Sequence, residues 1–158
     1  MLWNNRGAIV TLAVVVMAGA TACKDNKTTA PKPETYTAAL NGSNEPTPPA
    51  QVIGATGTAT VTVSGNSIAY TLTTASFSAG TTAPAGGTAL PAHIHLGAAG
   101  VSGGVMVPLT ATVNGTTSGT VTVVDSVLTH LRAGNTYANV HTNNRAAGEI
   151  RGQLVRTP

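Results

Sequence analysis

The chain is poor in cysteine, aromatic residues and charge. Its 158 residues include one cysteine, 3% aromatic residues and 8% charged residues. A single cysteine excludes an intramolecular disulfide, and so few aromatics exclude a stacking platform for single-stranded nucleic acid. From residue 36 onward four arginines oppose three carboxylates, which leaves a net charge of +1. This balance also excludes the clustered basic face of a nucleic-acid-binding protein.

Motifs of covalent and phosphate chemistry are also missing. The chain has no G-x-S-x-G nucleophile motif, and its glycine-rich stretch at residues 97–104 is not followed by the Lys-Ser or Lys-Thr of a phosphate-binding loop. The carboxylates after residue 35 are Glu45, Asp125 and Glu149, and they are far apart in sequence. Nucleophilic, phosphate-binding and paired-carboxylate catalysis are therefore not predicted, and we expect a non-catalytic binding or structural protein.

The N-terminal segment has the layout of an export signal. Arg6 precedes an uncharged apolar run at residues 8–20, and small residues close it, which predicts a secretory signal peptide at residues 1–22. The run is shorter than the roughly 20 apolar residues of a membrane span. Residues 20–23, Ala-Thr-Ala-Cys, resemble a bacterial lipobox. The resemblance implies that Cys23 is acylated through its sulfur and becomes the mature N-terminus.

The segment that follows is a predicted tether. Residues 23–34 are polar, contain two prolines and lack an apolar period, which favours a flexible linker. Lys24 stands where an Asp would imply retention at the inner membrane, so the lipobox resemblance implies the outer membrane. We therefore expect an exported protein that is lipid-anchored to the bacterial envelope. Its expected partners are the membrane and either an envelope protein or an extracellular ligand, and not nucleic acid.

The remaining residues, 35–158, follow a strand-and-turn pattern. Threonines alternate with apolar residues over Thr58–Val63, and Gly65-Asn66 forms a two-residue hairpin signal before the next run. About seven to eight such strands predict an all-β, antiparallel Greek-key sandwich or barrel. Ser126–Ala133 is the exception, since its apolar residues have helical spacing. We predict one short helix there, capped by Asp125 or Ser126 and closed by Gly134.

Two segments stand out from this background. One is PAHIHLG at residues 91–97, and the other is YANVHTNNRAAGEIRGQL at residues 137–154. Together with LTHLRAG at residues 128–134, they resemble the CHRD domain over residues 36–154. The resemblance implies an immunoglobulin-like or superoxide-dismutase-like all-β fold in an exported protein. It does not imply a reaction.

The histidines predict a possible metal site. His93 and His95 are two apart on a predicted strand and therefore share a face. The late hairpin is predicted to place His141 across from Glu149. Imidazoles bind zinc and copper, so His93, His95 and His141 are candidate ligands, with Glu149 as a fourth ligand or a supporting group. Copper would add the capacity for weak redox chemistry.

A structural polar network is the alternative for the same face. The late hairpin is predicted to pair Asn139 with Arg151 and to place Tyr137 beside them. Glu149 and Arg151 would then form an ion pair that satisfies Asn139 and His141, since a buried polar network has to be complete. The sequence leaves both alternatives open. His130, in the predicted helix, is expected at the solvated surface.

Overall fold

The computed structural model describes residues 32–46 and 54–158. The predicted signal peptide, Cys23 and the tether up to residue 31 lie outside the described residues. No helix in the described ranges is long and apolar enough to cross a membrane. The elements are β1 (Glu34–Asn41), a 3-10 turn (Gly42–Asn44), β2 (Thr56–Ser64), β3 (Ser67–Ala75), β4 (Ala89–Leu96), β5 (Val105–Thr112), β6 (Thr116–Thr122), α1 (Asp125–Arg132), β7 (Thr136–Val140), β8 (Ile150–Gln153) and β9 (Val155–Arg156).

The strands form one antiparallel sheet that nearly closes into a barrel. Its order is β5-β4-β7-β8-β1-β2-β3-β6, and the short β9 also pairs with β1. The two end strands, β5 and β6, are joined by a turn, and Thr112 Oγ1 lies 2.6 Å from Thr117 Oγ1 across them. Because β3 pairs with β6 rather than with β4, the connection is a Greek key. The predicted all-β class and barrel are confirmed.

The alternation in the sequence decides which face of each strand is buried. In β2, Val61 is fully buried whereas Thr60 is exposed. The β2–β3 hairpin turns at Gly65-Asn66, as predicted, and Gly65 has a φ of +57° that favours glycine. Strand β1 begins at Glu34, the residue with which the predicted tether ends. The barrel core is therefore lined by the inward apolar residues of every long strand.

Helix α1 confirms the predicted helix but not its predicted cap. Leu128 and Leu131 are buried against the barrel, and Gly134 follows with a φ of +71°. The N-cap residue is Val124, which offers no side-chain hydrogen bond. The Asp125 carboxylate instead accepts a 2.7 Å hydrogen bond from Asn66 Nδ2. The expectation that Asp125 or Ser126 caps the helix is wrong, because Asp125 ties the helix to the β2–β3 turn.

Strands β4, β7 and β8 are covered on both faces. Their inward residues, Ile94, Val140 and Ile150, are at most 1% exposed. Every residue of β7 is also buried, including those that point outward. Two chain segments bond to the outer face and cover it: Asn44 Nδ2 donates to the Arg151 carbonyl at 2.9 Å, and Arg151 itself donates to the loop between β4 and β5. This covered outer face carries the candidate site.

Candidate metal centre

Three histidines meet on the outer face of β4 and at the end of β7. Ile94 points into the core, so His93 and His95 on either side of it point outward. His141 lies one residue beyond β7, and its backbone N–H donates to the Pro91 carbonyl at 2.9 Å. This bond carries the β7 chain along β4 and places His141 diagonally beside His93. The structure therefore brings together the three histidines that the sequence analysis named as candidate ligands.

The three imidazoles are close enough to share one ion. One nitrogen from each ring can be chosen so that all lie within 4.8 Å of one another. His93 Nδ1 is 2.9 Å from His141 Nε2, and the His93 and His95 ring centroids are 5.3 Å apart. His95 is 8% exposed, whereas His93 and His141 are half-buried. The cluster thus has a closed side at His95 and a side that reaches solvent.

Backbone carbonyls fix two of the rings. His95 Nδ1 lies 2.9 Å from the Gly103 carbonyl, and His141 Nδ1 lies 2.9 Å from the Ala146 carbonyl. A carbonyl oxygen only accepts, so both Nδ1 atoms carry the proton and both Nε2 atoms carry a lone pair. His95 Nε2 is buried without a hydrogen-bond partner. Carbonyl bonding at one ring nitrogen is how metal-binding histidines are usually oriented.

Burial disfavours the charged form of His93 and of His95. Loss of solvent around His93 lowers its pKa to about 4, and repulsion from His141 and His95 adds to the effect. Burial also lowers the pKa of His95, although its bond to the Gly103 carbonyl acts in the opposite direction. A neutral imidazole is the form that binds a metal ion. Burial therefore favours the metal-binding form of these two rings.

A stack of three side chains stands behind the cluster. The His95 ring lies parallel to the Tyr137 ring, with centroids 4.9 Å apart. Arg151 covers the Tyr137 ring as well, its Cζ 3.3 Å from the centroid. Arg151 is only 2% exposed and donates to the carbonyls of Ala98, at 3.0 Å, and Val101, at 2.7 Å. The stack therefore joins the histidines to the loop at residues 97–104.

The residues of the predicted polar network bond to partners other than one another. Among the described residues, Glu149 and Arg151 form no ion pair, and Glu149 instead accepts from the Thr142 hydroxyl. The expected Glu149–Arg151 pair is therefore wrong. Asn139 Nδ2 donates to Glu45 Oε1 at 3.0 Å. Burial raises the pKa of Glu45, which the bond to Asn139 partly offsets.

Sequence reasoning missed Glu45 because nothing near it in the chain indicates its role. It follows the 3-10 turn after β1 and meets Asn139 only through the folded sheet. Gly148 is the one nearby residue whose type is linked to the Asn139–Glu45 pair. Its φ is +132°, and a Cβ there would collide with Asn139 and Glu45. The glycine therefore leaves room for the pair that replaces the predicted one.

Two remaining predictions concern residues outside the cluster. Glu149 is not part of the metal-ligating group, which consists of three histidines alone among the described residues. His130 lies in α1 and is likewise outside the group; it is partly rather than fully exposed. Cys23 lies outside the described residues, so its predicted lipidation stays a prediction.

The fold and site together define a class of protein: an all-β barrel with a covered polar face and a partly buried cluster of histidines, suited to binding or structural roles. The model of the CHRD domain family matches residues 36–154. Since this match spans most of the chain, the protein belongs to the CHRD domain family. No curated protein and no solved structure matches the chain significantly.

Proposed function

We propose that this protein binds one zinc or copper ion through His93, His95 and His141. The observation that carries the proposal is the lone pair of His95 Nε2, which is buried without a partner while two further imidazoles lie beside it. A buried polar atom left without a partner costs about 1–3 kcal/mol. A metal ion at this position removes that cost, and two other histidines supply the rest of its ligands.

The alternative, a purely structural cluster, explains less of the geometry. A structural role accounts well for Arg151, Tyr137 and Asn139, which hold the outer segments to the sheet. It does not account for His95 Nε2. His93 Nδ1 and His141 Nε2 are 2.9 Å apart, close to the roughly 3.3 Å between two nitrogens that each lie about 2.0–2.1 Å from a tetrahedral zinc. An ion between them would replace the hydrogen bond that His93 Nδ1 donates to His141 Nε2, which requires His93 to lose its Nδ1 proton and the two nitrogens to separate by a few tenths of an ångström.

The ligand set limits the choice of metal. All three donors are imidazole nitrogens, and no thiolate or carboxylate belongs to the described group. Imidazole donors suit zinc and copper, whereas magnesium and calcium prefer oxygen. Copper would make weak redox chemistry available. Zinc would serve binding or structure alone, in keeping with a non-catalytic role.

Metal binding is tested by elemental analysis and calorimetry. The protein is purified without chelators, its metal content measured, and its melting temperature recorded with and without zinc or copper. An ion that binds only the folded state raises the melting temperature. We expect the rise in wild type and in His130→Ala, and its loss in His95→Ala. Wild type that shows no bound metal and no thermal shift with either ion would refute the proposal.

We further propose that the domain acts at the bacterial envelope, anchored through Cys23. Support comes only from the lipobox-like segment and the preceding apolar run. More than one acyl chain is needed for stable anchoring, and diacylation provides this. Cells are labelled with a palmitate analogue and then fractionated. Wild type should be labelled and membrane-bound, and Cys23→Ser should be unlabelled and soluble; an unlabelled wild type would contradict the anchor.

A further inference from the structure

We propose that the metal at His93, His95 and His141 keeps one coordination position open to solvent, and that this position takes a small monodentate anion. The inference rests on the proposed metal site and adds a second ligand-binding function to it. Three features of the site carry it: the number of protein ligands, the way the cluster faces solvent, and the charge of its donors.

The protein supplies three ligands where zinc and copper(II) take at least four. The described group contains three histidines and no other metal-binding side chain. The two nearby carboxylates are already engaged, Glu149 with the Thr142 hydroxyl and Glu45 with Asn139. Three protein ligands with a water or other exogenous group in the fourth position is the pattern of open metal sites. The fourth ligand therefore comes from solution.

The cluster faces solvent on the side opposite His95. His95 is 8% exposed and stacks against Tyr137, which closes the inner side. His93 and His141 are half-buried and form the outer side. The carbonyl bonds at His95 Nδ1 and His141 Nδ1 hold both rings in place. An incoming molecule can therefore reach the ion without a rearrangement of the loops.

Charge selects the class of ligand. All three donors are neutral, so a divalent ion keeps its full charge when bound. The guanidinium of Arg151 on the far face of Tyr137 adds positive charge nearby. Glu45 is the carboxylate whose charge reaches His95, and one negative charge outside the ligand group offsets the charge of a divalent ion only in part. The open position therefore favours a small anion, such as hydroxide or azide, over a neutral ligand.

The test uses copper and azide on the purified full-length protein. The protein is loaded with less than one equivalent of Cu²⁺ and titrated with azide, followed by absorption and electron paramagnetic resonance. We expect an azide-to-copper charge-transfer band that saturates at one azide per copper, with a matching spectral change. Water-proton relaxivity should fall over the same titration, because azide displaces bound water. His130→Ala should behave like wild type.

The outcomes separate this inference from the proposal it rests on. Copper bound by wild type but lost in His95→Ala, with no azide band and no fall in relaxivity, would overturn the open position and leave the metal site standing. Failure of copper and of zinc to bind would overturn both. An azide band of equal strength in His95→Ala would assign the copper to another place and also overturn the inference.

Discussion

The two halves of the barrel have the same alternating strands but different outer faces. On β1, β2, β3 and β6, hydroxyl side chains lie across from one another and are open to solvent; one row is Thr37, Thr60, Thr71 and Ser118. On β4, β7 and β8, the outward residues are larger, and Tyr137, Asn139 and Arg151 are at most 3% exposed. The difference comes from the segments that bond to the second half, which include Asn44 and the loop at residues 97–104.

This difference changes what an outward polar residue contributes. On the exposed half, a hydroxyl that loses its neighbour can bond to water. On the covered half, an unpaired polar group carries the cost of its lost hydration. Most outward residues there have a specific partner through at least one atom, whereas His95 Nε2, Asn139 Oδ1 and Gln153 Oε1 have none among the described residues. Matched substitutions in the two halves should therefore differ sharply in effect.

The largest effect is expected from Arg151→Ala. It would leave the Ala98 and Val101 carbonyls without their donor and open space beside Tyr137. We expect a loss of about 3 kcal/mol in the free energy of unfolding, measured from the urea midpoint. The control is Arg156→Ala. Arg156 is 65% exposed and 3.9 Å from Glu34, so its loss should cost about 0.5 kcal/mol or less. Equal midpoints for both variants would show that the outer face is solvated.

A smaller effect is expected from Gly148→Ala. The substitution forces a left-handed φ on alanine and pushes a Cβ into the Asn139–Glu45 pair, for an expected loss of about 2–3 kcal/mol. Gly65→Ala in the β2–β3 turn is the matched control, because its φ is also positive but nothing lies within 4 Å. That change should cost about 1 kcal/mol. Thermal unfolding of both variants measures the difference, and equal losses would show that Gly148 matters only through its backbone.

Acid should lower the stability of the metal-free protein, because His93 on the covered half has a lowered pKa. The pKa of His93 is lowered to about 4, below the value near 6.5 in an unfolded chain. The unfolded state therefore takes up the proton first, so stability is complete above about pH 6.5 and is lost as pH falls toward 4. Because His93 is partly exposed, solvent screens part of this effect. We expect the free energy of unfolding to fall by about 1–2 kcal/mol over this pH range.

Urea unfolding of metal-free protein at several pH values measures this loss. His93→Gln should flatten the dependence between pH 6.5 and 4, whereas His130→Gln, outside the cluster, should keep it. A dependence of unchanged slope in His93→Gln would place the responsible group elsewhere.

The smallest effect is expected on the exposed half. The Thr71 hydroxyl lies 2.9 Å from that of Ser118 in an exposed pair, so Thr71→Val should change stability by about 0.5 kcal/mol or less. Thr142→Val is the same change on the covered half. Thr142 is fully buried and donates to Glu149, so its loss should cost about 1–2 kcal/mol. Denaturant midpoints compare the pair, and a Thr71→Val cost as large as that of Thr142→Val would remove the distinction between the halves.

Alternation and turn chemistry predicted what depends on neighbours in sequence. They predicted that Val61 and Thr60 lie on opposite faces of β2, and they located the hairpin at Gly65-Asn66. They also paired Asn139 with Arg151, a register that the structure confirms. The two-residue spacing placed His93 and His95 on one face, whereas His141 reaches them through the pairing of β4 with β7, which no local pattern predicts.

Loop packing could not be predicted in this way. Whether an outward residue is covered depends on where a loop lies, and no periodic pattern encodes that position. Glu45 reaches Asn139 from a turn in another part of the chain, and the carbonyls that fix His95 and His141 are backbone atoms that any residue could supply. The Glu149–Arg151 ion pair was expected because adjacency in sequence suggested it. In the structure, Glu149 accepts from the Thr142 hydroxyl, and Arg151 donates to the carbonyls of Ala98 and Val101.

The position of β1 has a consequence for biosynthesis. It lies between β2, which follows it closely, and the last strands of the domain, with Asn41 pairing with Arg151 and Tyr36 with Arg156. A ribosome delivers β1, β2 and β3 early, but the second edge of β1 stays unpaired until the C-terminus emerges. An unpaired edge is a template for association with other chains, and such long-range pairing is slow to form. A nascent chain that stops before Ile150 should therefore be retained by chaperones or aggregate, whereas a few further residues complete the barrel.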